Sequence, residues 1–372
     1  MLPQEEKMRT ALNGICPYFT MFPLDFPYRV LKNFAKAGDW VADPFCGRGT
    51  TLFASRLLGL PCVGIDSHPV AVAISEAKLA NTSPNWIMQT AKRILNDITE
   101  ANDVPMGDFW DWAFNREVLG ILCRLREGLL KNCDSSARKA LCGIILGALH
   151  GPICKTKKSY FSNQAPRTYA PKPDYAVRFW KSRGLRPPKI DVLEIIAERA
   201  ERYFGIKQNH SNAIVKDSDS RDPHTFEGLA AANKVKWVIT SPPYYGMSTY
   251  MPDQWLRLWF LGGTPTVRYT FDTQIKHLSQ EVFINELRKV WINLSIICHK
   301  SAKLVIRFGA INDRKVNPVE IIKESLRNTR WNCITRKPAG SASKGRRQSL
   351  HFNERAAEAL EEYDIWAILQ AC

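Results

Sequence analysis

Apolar and polar residues follow two different rhythms along this chain. In its first and last parts, short apolar runs end in turns and are followed by helical patterns, as at Trp40–Asp43 and Cys62–Asp66. Strands and helices that alternate in this way are typical of a parallel sheet. In the middle part, apolar residues such as Leu119 and Leu122 recur at helical spacing instead. This part is therefore predicted to be a mainly helical insertion.

The predicted fold is α/β: a doubly wound, Rossmann-like sheet of seven mostly parallel strands that is interrupted by the helical insertion. The last two strands are expected at Trp331–Thr335 and Asp364–Leu369, as a hairpin. The seven predicted strands are 40–43, 62–66, 213–217, 237–240, 303–308, 331–335 and 364–369.

The amino-acid composition predicts that the protein binds a polyanionic partner. The chain has 372 residues, a formal net charge of +16 and a pI of about 9.4, which suits phosphate backbones. Its ten cysteines form no C-x-x-C pair and no cluster with zinc spacing, so no metal site is expected. No signal peptide or membrane span is predicted either, and a cytoplasmic protein is expected.

The first candidate site is a glycine turn, Asp43–Thr51, that joins a predicted strand to a helix. Glycines there allow a backbone to approach a ligand closely at the carboxyl edge of a sheet. A dinucleotide site would have a third glycine where Leu52 stands, so the pattern disfavours NAD. Asp66 ends the next predicted strand. Its carboxylate can hold both ribose hydroxyls of an adenosine, or cap the helix that begins near Pro69.

The second candidate site is Thr240–Tyr244, which reads T-S-P-P-Y and follows an apolar strand. Consecutive prolines fix the backbone and remove two donors. The Ser241 hydroxyl and the Pro242 carbonyl could then both accept hydrogen bonds from one amino group, and Tyr244 could stack on a base. The same residues could also form a simple turn at the end of a strand.

Together the two motifs resemble those of the S-adenosylmethionine-dependent DNA amino-methyltransferases. The patterns of that family are D-P-F-x-G-x-G-T-T and S-P-P-Y, the latter in many cytosine-N4 enzymes, with D-P-P-Y or N-P-P-Y in most adenine-N6 enzymes. The resemblance covers roughly residues 15–80 and 210–370. Three features depart from the family pattern. Arg48 stands where the family often has serine, and the cofactor motif precedes the catalytic one, whereas many S-P-P-Y enzymes have the reverse order. The insertion lies between the second and third strands, which is not a usual position for a specificity domain.

The resemblance implies S-adenosylmethionine as the cofactor and assigns the site residues. Those expected to bind the cofactor are Tyr18, Phe22, Asp43, Phe45, Gly47, Gly49, Thr50, Asp66 and Asp217. Those expected to be catalytic are Ser241, Pro242, Pro243 and Tyr244. Accordingly, residues 1–80 are predicted to be the cofactor-binding half, residues 81–212 the insertion and candidate DNA-recognition region, and residues 213–372 the catalytic half.

Two basic segments are candidates for contact with double-stranded DNA. Lys155–Arg186 mixes cations with aromatic residues, a combination that favours backbone contact or base stacking over the alternative, a solvated loop anchored by its aromatics. Arg336–Arg347 is the second candidate, or else a plain surface loop. The residues expected to bind DNA are Arg167, Lys172, Arg178, Arg346 and Arg347.

The expected function is site-specific DNA methylation at the N4 amine of a flipped cytosine, in a restriction–modification system with a cognate endonuclease as a partner. Three alternatives stay open: an adenine-N6 DNA enzyme, an RNA amino-methyltransferase, and a nucleic-acid-binding protein with an inactive site. A C5 enzyme would need a cysteine nucleophile, usually after proline. Pro61-Cys62 has that order, but Cys62 is expected to be a buried strand residue.

Overall fold

The computed structural model of the chain describes residues 10–18, 22–153, 159–165, 172–229, 234–246, 254–267, 275, 279–309, 316–341 and 361–370. The chain divides into two compact units. The helical unit comprises Met1–Pro17, Glu76–Gln208 and Tyr250–Phe271. The sheet unit comprises Tyr18–Ser75, Asn209–Thr249 and Asp272–Cys372.

Helices and strands alternate at both ends of the chain, and helices alone fill its middle. In chain order the described elements are α1 (Asp25–Phe34), β1 (Trp40–Asp43), α2 (Thr50–Leu57), β2 (Cys62–Asp66), α3 (Pro69–Leu79), α4 (Pro84–Asp97), α5 (Asp108–Ala113), α6 (Arg116–Lys131), α7 (Ser136–Ala148), α8 (Pro173–Ser182), α9 (Val192–Phe204), β3 (Ala213–Asp217), β4 (Val235–Thr240), α10 (Trp255–Phe260), α11 (Gln280–Leu294), β5 (Cys298–Phe308), α12 (Pro318–Leu326), β6 (Trp331–Ser341) and β7 (Glu361–Leu369).

The described strands form one seven-stranded sheet in the order β3-β2-β1-β4-β5-β7-β6. Strands β1 to β5 run parallel, and β7 is antiparallel to both β5 and β6. The central strands contain buried apolar runs: Val238 and Ile239 of β4 and Val305 of β5 are fully buried. Such strands are expected where helices cover both faces of a parallel sheet. The predicted α/β doubly wound fold is therefore confirmed.

Helix boundaries follow the capping residues in the sequence. Six helices begin after a side chain that accepts a hydrogen bond from a backbone N–H of the first turn, which satisfies one of the donors that a helix start leaves without a partner. These capping residues are Ser83, Asn115, Ser135, Asp191, Ser279 and Asn317. In the helical unit, the leucines of α6 that were predicted to share one face are all buried, Leu119 and Leu122 among them.

The last two strands are longer than predicted. They pair antiparallel, as expected for the hairpin, but β6 continues to Ser341 and β7 begins at Glu361. The prediction that a loop begins at Arg336 is therefore wrong, because Arg336 and Lys337 lie within β6, in register with Ile365 and Asp364. The strand continues past Thr335 because two register shifts, near Cys333 and Pro338, absorb the residues that break the alternating pattern.

Candidate functional site

The two sequence motifs meet at the carboxyl edge of the central strands. Strands β1 and β4 are parallel neighbours, so Asp43 and Thr240, which end them, lie at the same edge. The Thr240 hydroxyl donates a hydrogen bond of 2.6 Å to Asp43 Oδ1. The Thr51 hydroxyl, on α2, donates to the Ile239 carbonyl of β4 at 3.0 Å. The glycine turn and the double-proline turn therefore begin side by side.

Asp43 is a buried carboxylate with one oxygen left without a donor. Its side chain is 1% exposed, and burial raises the pKa of the carboxyl to about 6. Oδ1 accepts from Thr240 and from the Phe45 amide at 3.1 Å, whereas Oδ2 has no hydrogen-bond partner among the described residues. A buried acceptor of this kind is costly in a protein that binds nothing there. It therefore favours a ligand that carries a donor or a positive charge.

The glycine turn is held in a conformation that other residues rarely adopt. Gly47 and Gly49 have φ angles of 51° and 71°. The Gly47 amide donates to Asp66 Oδ2 at 2.8 Å, and its carbonyl accepts from the Ser75 hydroxyl at 2.9 Å. A Cβ on Gly49 would lie 2.6 Å from Ser75 Oγ, so this glycine is required by both its backbone angle and its neighbour.

We expect Gly49→Ala to lower the free energy of unfolding by about 2–4 kcal/mol, because it combines backbone strain with overpacking. Gly38→Ala is the matched control, since Gly38 also has a positive φ, 85°, but has nothing within 4 Å of the place that a Cβ would occupy. The control should lose only about 1 kcal/mol. Urea denaturation of both variants checks this, and equal losses would show that Ser75 does not restrict the turn.

Asp66 has hydrogen bonds to the backbone on both carboxylate oxygens and still has acceptor capacity. Oδ2 accepts from Gly47, and Oδ1 accepts from the His68 amide at 2.9 Å, just before α3. Burial raises the pKa of its carboxyl to about 6. Because a carboxylate has about four lone-pair sites, two remain for hydroxyl donors. The local capping role and the ribose-binding role are thus compatible. Asp217, the register partner of Asp66 on β3, is exposed.

The remaining residues that were predicted to bind the cofactor belong to the sheet unit. The Tyr18 ring is buried and meets His68 edge-on at 6.1 Å, and Phe22 meets Phe26 of α1 at 5.5 Å. Phe45 is half-buried with its ring edge-on to Trp291 of α11, and Thr50 is buried at the start of α2. Their contact with a cofactor stays a prediction.

Residues of this edge fit S-adenosylmethionine by their chemistry. Asp43 Oδ2 is a buried acceptor without a donor, and the methyl donor carries a positive sulfonium and an amino group. The Gly49 backbone packs on Ser75 too closely for any side chain, so the turn at the sheet edge presents bare backbone at this position. Asp66 keeps acceptor sites for ribose hydroxyls. The set is made of hydrogen-bond acceptors, and the one cation of the glycine turn, Arg48, is buried.

The double-proline turn presents two acceptors and an anchored ring. Ser241 is half-buried, and neither its hydroxyl nor the Pro242 carbonyl has a hydrogen bond among the described residues. Pro242 is buried, whereas Pro243 is exposed. The Tyr244 hydroxyl donates to Glu362 Oε1 at 2.6 Å. Its ring also meets Phe308 edge-on at 5.2 Å. The turn can therefore offer two acceptors beside a ring whose position is fixed.

Sequence reasoning missed Glu362 and Arg307. Glu362, on β7, is 5% exposed and holds the Tyr244 hydroxyl. Arg307, on β5, forms a two-bond ion pair with Asp364 of β7 and lies 3.8 Å from the Phe26 ring centroid. It thereby joins α1 to the strands beside Tyr244. No short motif marks either residue, since both gain their roles only from the pairing of β5 with β7.

The structure also bears on the other sequence predictions. Cys62 is fully buried in β2, and burial raises the pKa of its thiol to about 12, so it is not an activated nucleophile. Lys172 and Arg178 are exposed on the helical unit. Arg167, Arg346 and Arg347 lie outside the described residues. Within the described ranges, no group of three or more His, Cys, Asp or Glu side chains could hold a metal ion, and no helix could span a membrane.

Comparison with known proteins finds a family model that matches the N-terminal part of the chain. Residues 2–77, which include the glycine turn and Asp66, match the family model described as DNA methylase. This match confirms the resemblance predicted from the glycine turn, and the cofactor that it implies for the DNA methylase segment is S-adenosylmethionine.

Two curated relatives are similar to parts of the chain. Type II methyltransferase M.MjaII of Methanocaldococcus jannaschii is 37% identical over 114 residues, which cover 30% of this chain and 21% of that protein. Type II methyltransferase M.MthZI of Methanothermobacter thermautotrophicus is 38% identical over 45 residues, 12% of this chain and 13% of that protein. The chain thus spans about a fifth or less of the length of these relatives.

Solved structures give a weaker likeness than the sequence relatives. The rRNA methyltransferase aviRa of Streptomyces viridochromogenes aligns with a TM-score of 0.38 and 14% identity, over 99% of this chain and 94% of that one. A likeness of this degree says nothing about the substrate.

Proposed function

We propose that this protein is a DNA methyltransferase that transfers a methyl group from S-adenosylmethionine to the N4 amine of a cytosine. The observation that carries the proposal is the 2.6 Å hydrogen bond from Thr240 to Asp43, because it joins the S-P-P-Y turn to the turn of the DNA methylase segment. A methyl donor held by one turn would lie next to an amine held by the other.

The residues of the double-proline turn would activate and position the amine. The N4 nitrogen of cytosine is a poor nucleophile because its lone pair is delocalised into the ring. Ser241 Oγ and the Pro242 carbonyl can each accept one of its N–H bonds, which draws the nitrogen towards tetrahedral geometry and localises that pair. Tyr244 can stack on the base. Most of the rate enhancement would then come from positioning and electrostatics.

S-adenosylmethionine, when bound, would supply the methyl group: the S–C bond breaks with its electron pair remaining on sulfur, and the lone pair of the nitrogen forms the new N–C bond. The nitrogen then loses one proton to solvent. In this scheme Asp43 and Asp66 hold and orient the cofactor. Ser241, Pro242 and Tyr244 bind the reacting base. Because this amine is paired inside a duplex, the cytosine must leave the stack, which costs a few kcal/mol and requires DNA contacts elsewhere.

Both curated relatives are named type II methyltransferases. With the S-P-P-Y motif and the net charge of +16, they support a site-specific modification enzyme of a restriction–modification system, paired with an endonuclease. The second candidate is an adenine-N6 enzyme on DNA, since the same two acceptors could hold the adenine amine equally well.

Nucleoside mass spectrometry tests the proposal directly. DNA without methylation is incubated with the protein and S-adenosylmethionine that carries a deuterated methyl group, and a matched RNA sample is treated in parallel. We expect labelled N4-methylcytosine in the DNA. Labelled N6-methyladenine would support the second candidate, and label only in the RNA would point to an RNA enzyme. No label in either sample would contradict methyl transfer altogether.

A further inference from the structure

The helical unit contains a cleft that the proposed reaction does not use. It has a volume of about 300 Å³ and is lined by residues from α5, the start of α6 and the segment after α8. Arg116 and Arg186 flank it together with Asp111 and Pro187, and the rings of Trp110 and Phe114 form its apolar floor. The volume is at the lower end of the range for small-ligand sites, which suits about one nucleotide.

The cations of this region differ in whether they have carboxylate partners. Lys181 pairs with Asp108 at 2.7 Å, and Lys189 pairs with Glu117 at 2.7 Å. Arg116 and Arg186, the two that flank the cleft, form no ion pair among the described residues. Asp111 offsets one of their charges, so the cleft keeps a net positive charge. A single anionic group bound in the cleft would neutralise the remaining positive charge of Arg116 and Arg186.

Arg186 is also held in place before any ligand binds. Its guanidinium lies 4.2 Å from the centroid of the Trp112 ring, which is a cation–π contact. Stacking of this kind restricts a long side chain that would otherwise lose entropy on binding, and leaves its donors free to face an anion. The apolar floor is equally ordered, since the rings of Trp110 and Phe114 stack at 5.9 Å.

We propose that this cleft binds one phosphodiester group of a DNA strand, between Arg116 and Arg186, with the adjoining sugar against the apolar floor. A strand fits better than a free anion because the floor is apolar and the protein as a whole is strongly basic. The inference rests on the proposed function for the identity of the polymer. It adds a contact that fixes register on the strand rather than one that reads sequence.

Salt-dependent DNA binding tests the cleft. Binding of a fluorescent 20-base-pair duplex is measured by anisotropy from about 50 to 250 mM KCl, for wild type and for Arg116→Gln/Arg186→Gln. The expected result is roughly tenfold weaker binding at about 100 mM salt and a log–log slope shallower by about 1, the loss of one phosphate contact. The matched control is Arg93→Gln/Arg202→Gln, which removes two exposed arginines of the same unit that do not line the cleft.

The outcomes separate this inference from the proposed function. Equal changes in the two double variants would overturn the cleft, since general basicity would then explain binding. If the cleft variant lost direct binding of deoxycytidine monophosphate but bound the duplex as wild type does, the cleft would be a free-nucleotide site and the inference would be overturned. Wild type that binds no DNA would overturn both proposals at once. Thermal unfolding of each variant checks that its fold is intact.

Discussion

Ser241→Ala and Tyr244→Ala will each lower kcat for DNA methylation roughly 100-fold. The serine change removes one of two acceptors for the amine, and loss of a single aligned hydrogen-bonding group in an active site costs about 100- to 1000-fold. The tyrosine change removes a base-stacking platform, worth ~1–3 kcal/mol. Single-turnover kinetics measure the chemical step, and equilibrium dialysis measures affinity for S-adenosylmethionine, which should change less than threefold in both variants.

A matched pair of tyrosine variants separates stacking from positioning. Tyr244→Phe keeps the ring but removes the 2.6 Å hydrogen bond to Glu362. Tyr363→Phe removes a comparable bond, of 2.8 Å, from a half-buried tyrosine to Glu361 on the same strand. We expect Tyr244→Phe to lower kcat by up to about tenfold and Tyr363→Phe to leave it unchanged. If Tyr244→Ala retained full kcat, the assignment of the aromatic ring to the base would be wrong.

Asp66→Asn will raise the Kd for S-adenosylmethionine roughly 30-fold, because a neutral amide accepts hydroxyl donors more weakly than a carboxylate, by about 2 kcal/mol. Affinity in wild type should also depend on pH. Burial raises the pKa of the Asp66 carboxyl to about 6, and hydroxyl donors favour its ionised form. Affinity is therefore complete above pH 6 and lost as the pH falls below 6. The variant should lose this part of the pH dependence.

Asp222→Asn is the control for that experiment. Asp222 also belongs to the sheet unit and accepts a hydrogen bond from the amide two residues ahead, His224, at 3.0 Å, just as Asp66 accepts from His68. The control makes the same Asp-to-Asn change in the same kind of turn, but at a position that is not predicted to bind the cofactor. Isothermal titration calorimetry at pH 5.0, 6.0 and 7.5 checks both variants. Equal Kd values for Asp66→Asn and wild type would remove Asp66 from the cofactor site.

Those features of the site that are encoded in short stretches of sequence could be predicted. Glycines with positive φ, a carboxylate at the end of the next strand and two prolines after an apolar strand each leave a pattern within ten residues. That the two turns lie side by side could also be predicted, because the carboxyl ends of parallel strands share one edge of the sheet. The hydrogen bond from Thr240 to Asp43 agrees with this expectation.

The supports of Tyr244 could not be predicted, because they depend on register. Glu362 lies 118 positions from Tyr244, and only the insertion of β7 between β5 and β6 brings it there. A shift of one residue in that pairing would turn Glu362 to the other face of the sheet. The same reasoning applies to Arg307 and Asp364, which meet because they are directly opposite in register. Hydrophobic periodicity contains no information of this kind.

The position of β7 also governs how the protein can be made. It is the last strand along the described chain, yet it occupies an interior place in the sheet, with a neighbour on either side. During translation the glycine turn and the S-P-P-Y turn leave the ribosome long before Glu361–Leu369 does, so the Tyr244 hydroxyl can reach Glu362 only after β7 has been made. Proteolytic clipping or a fusion that disturbs this strand would open the middle of the sheet and not merely fray its border.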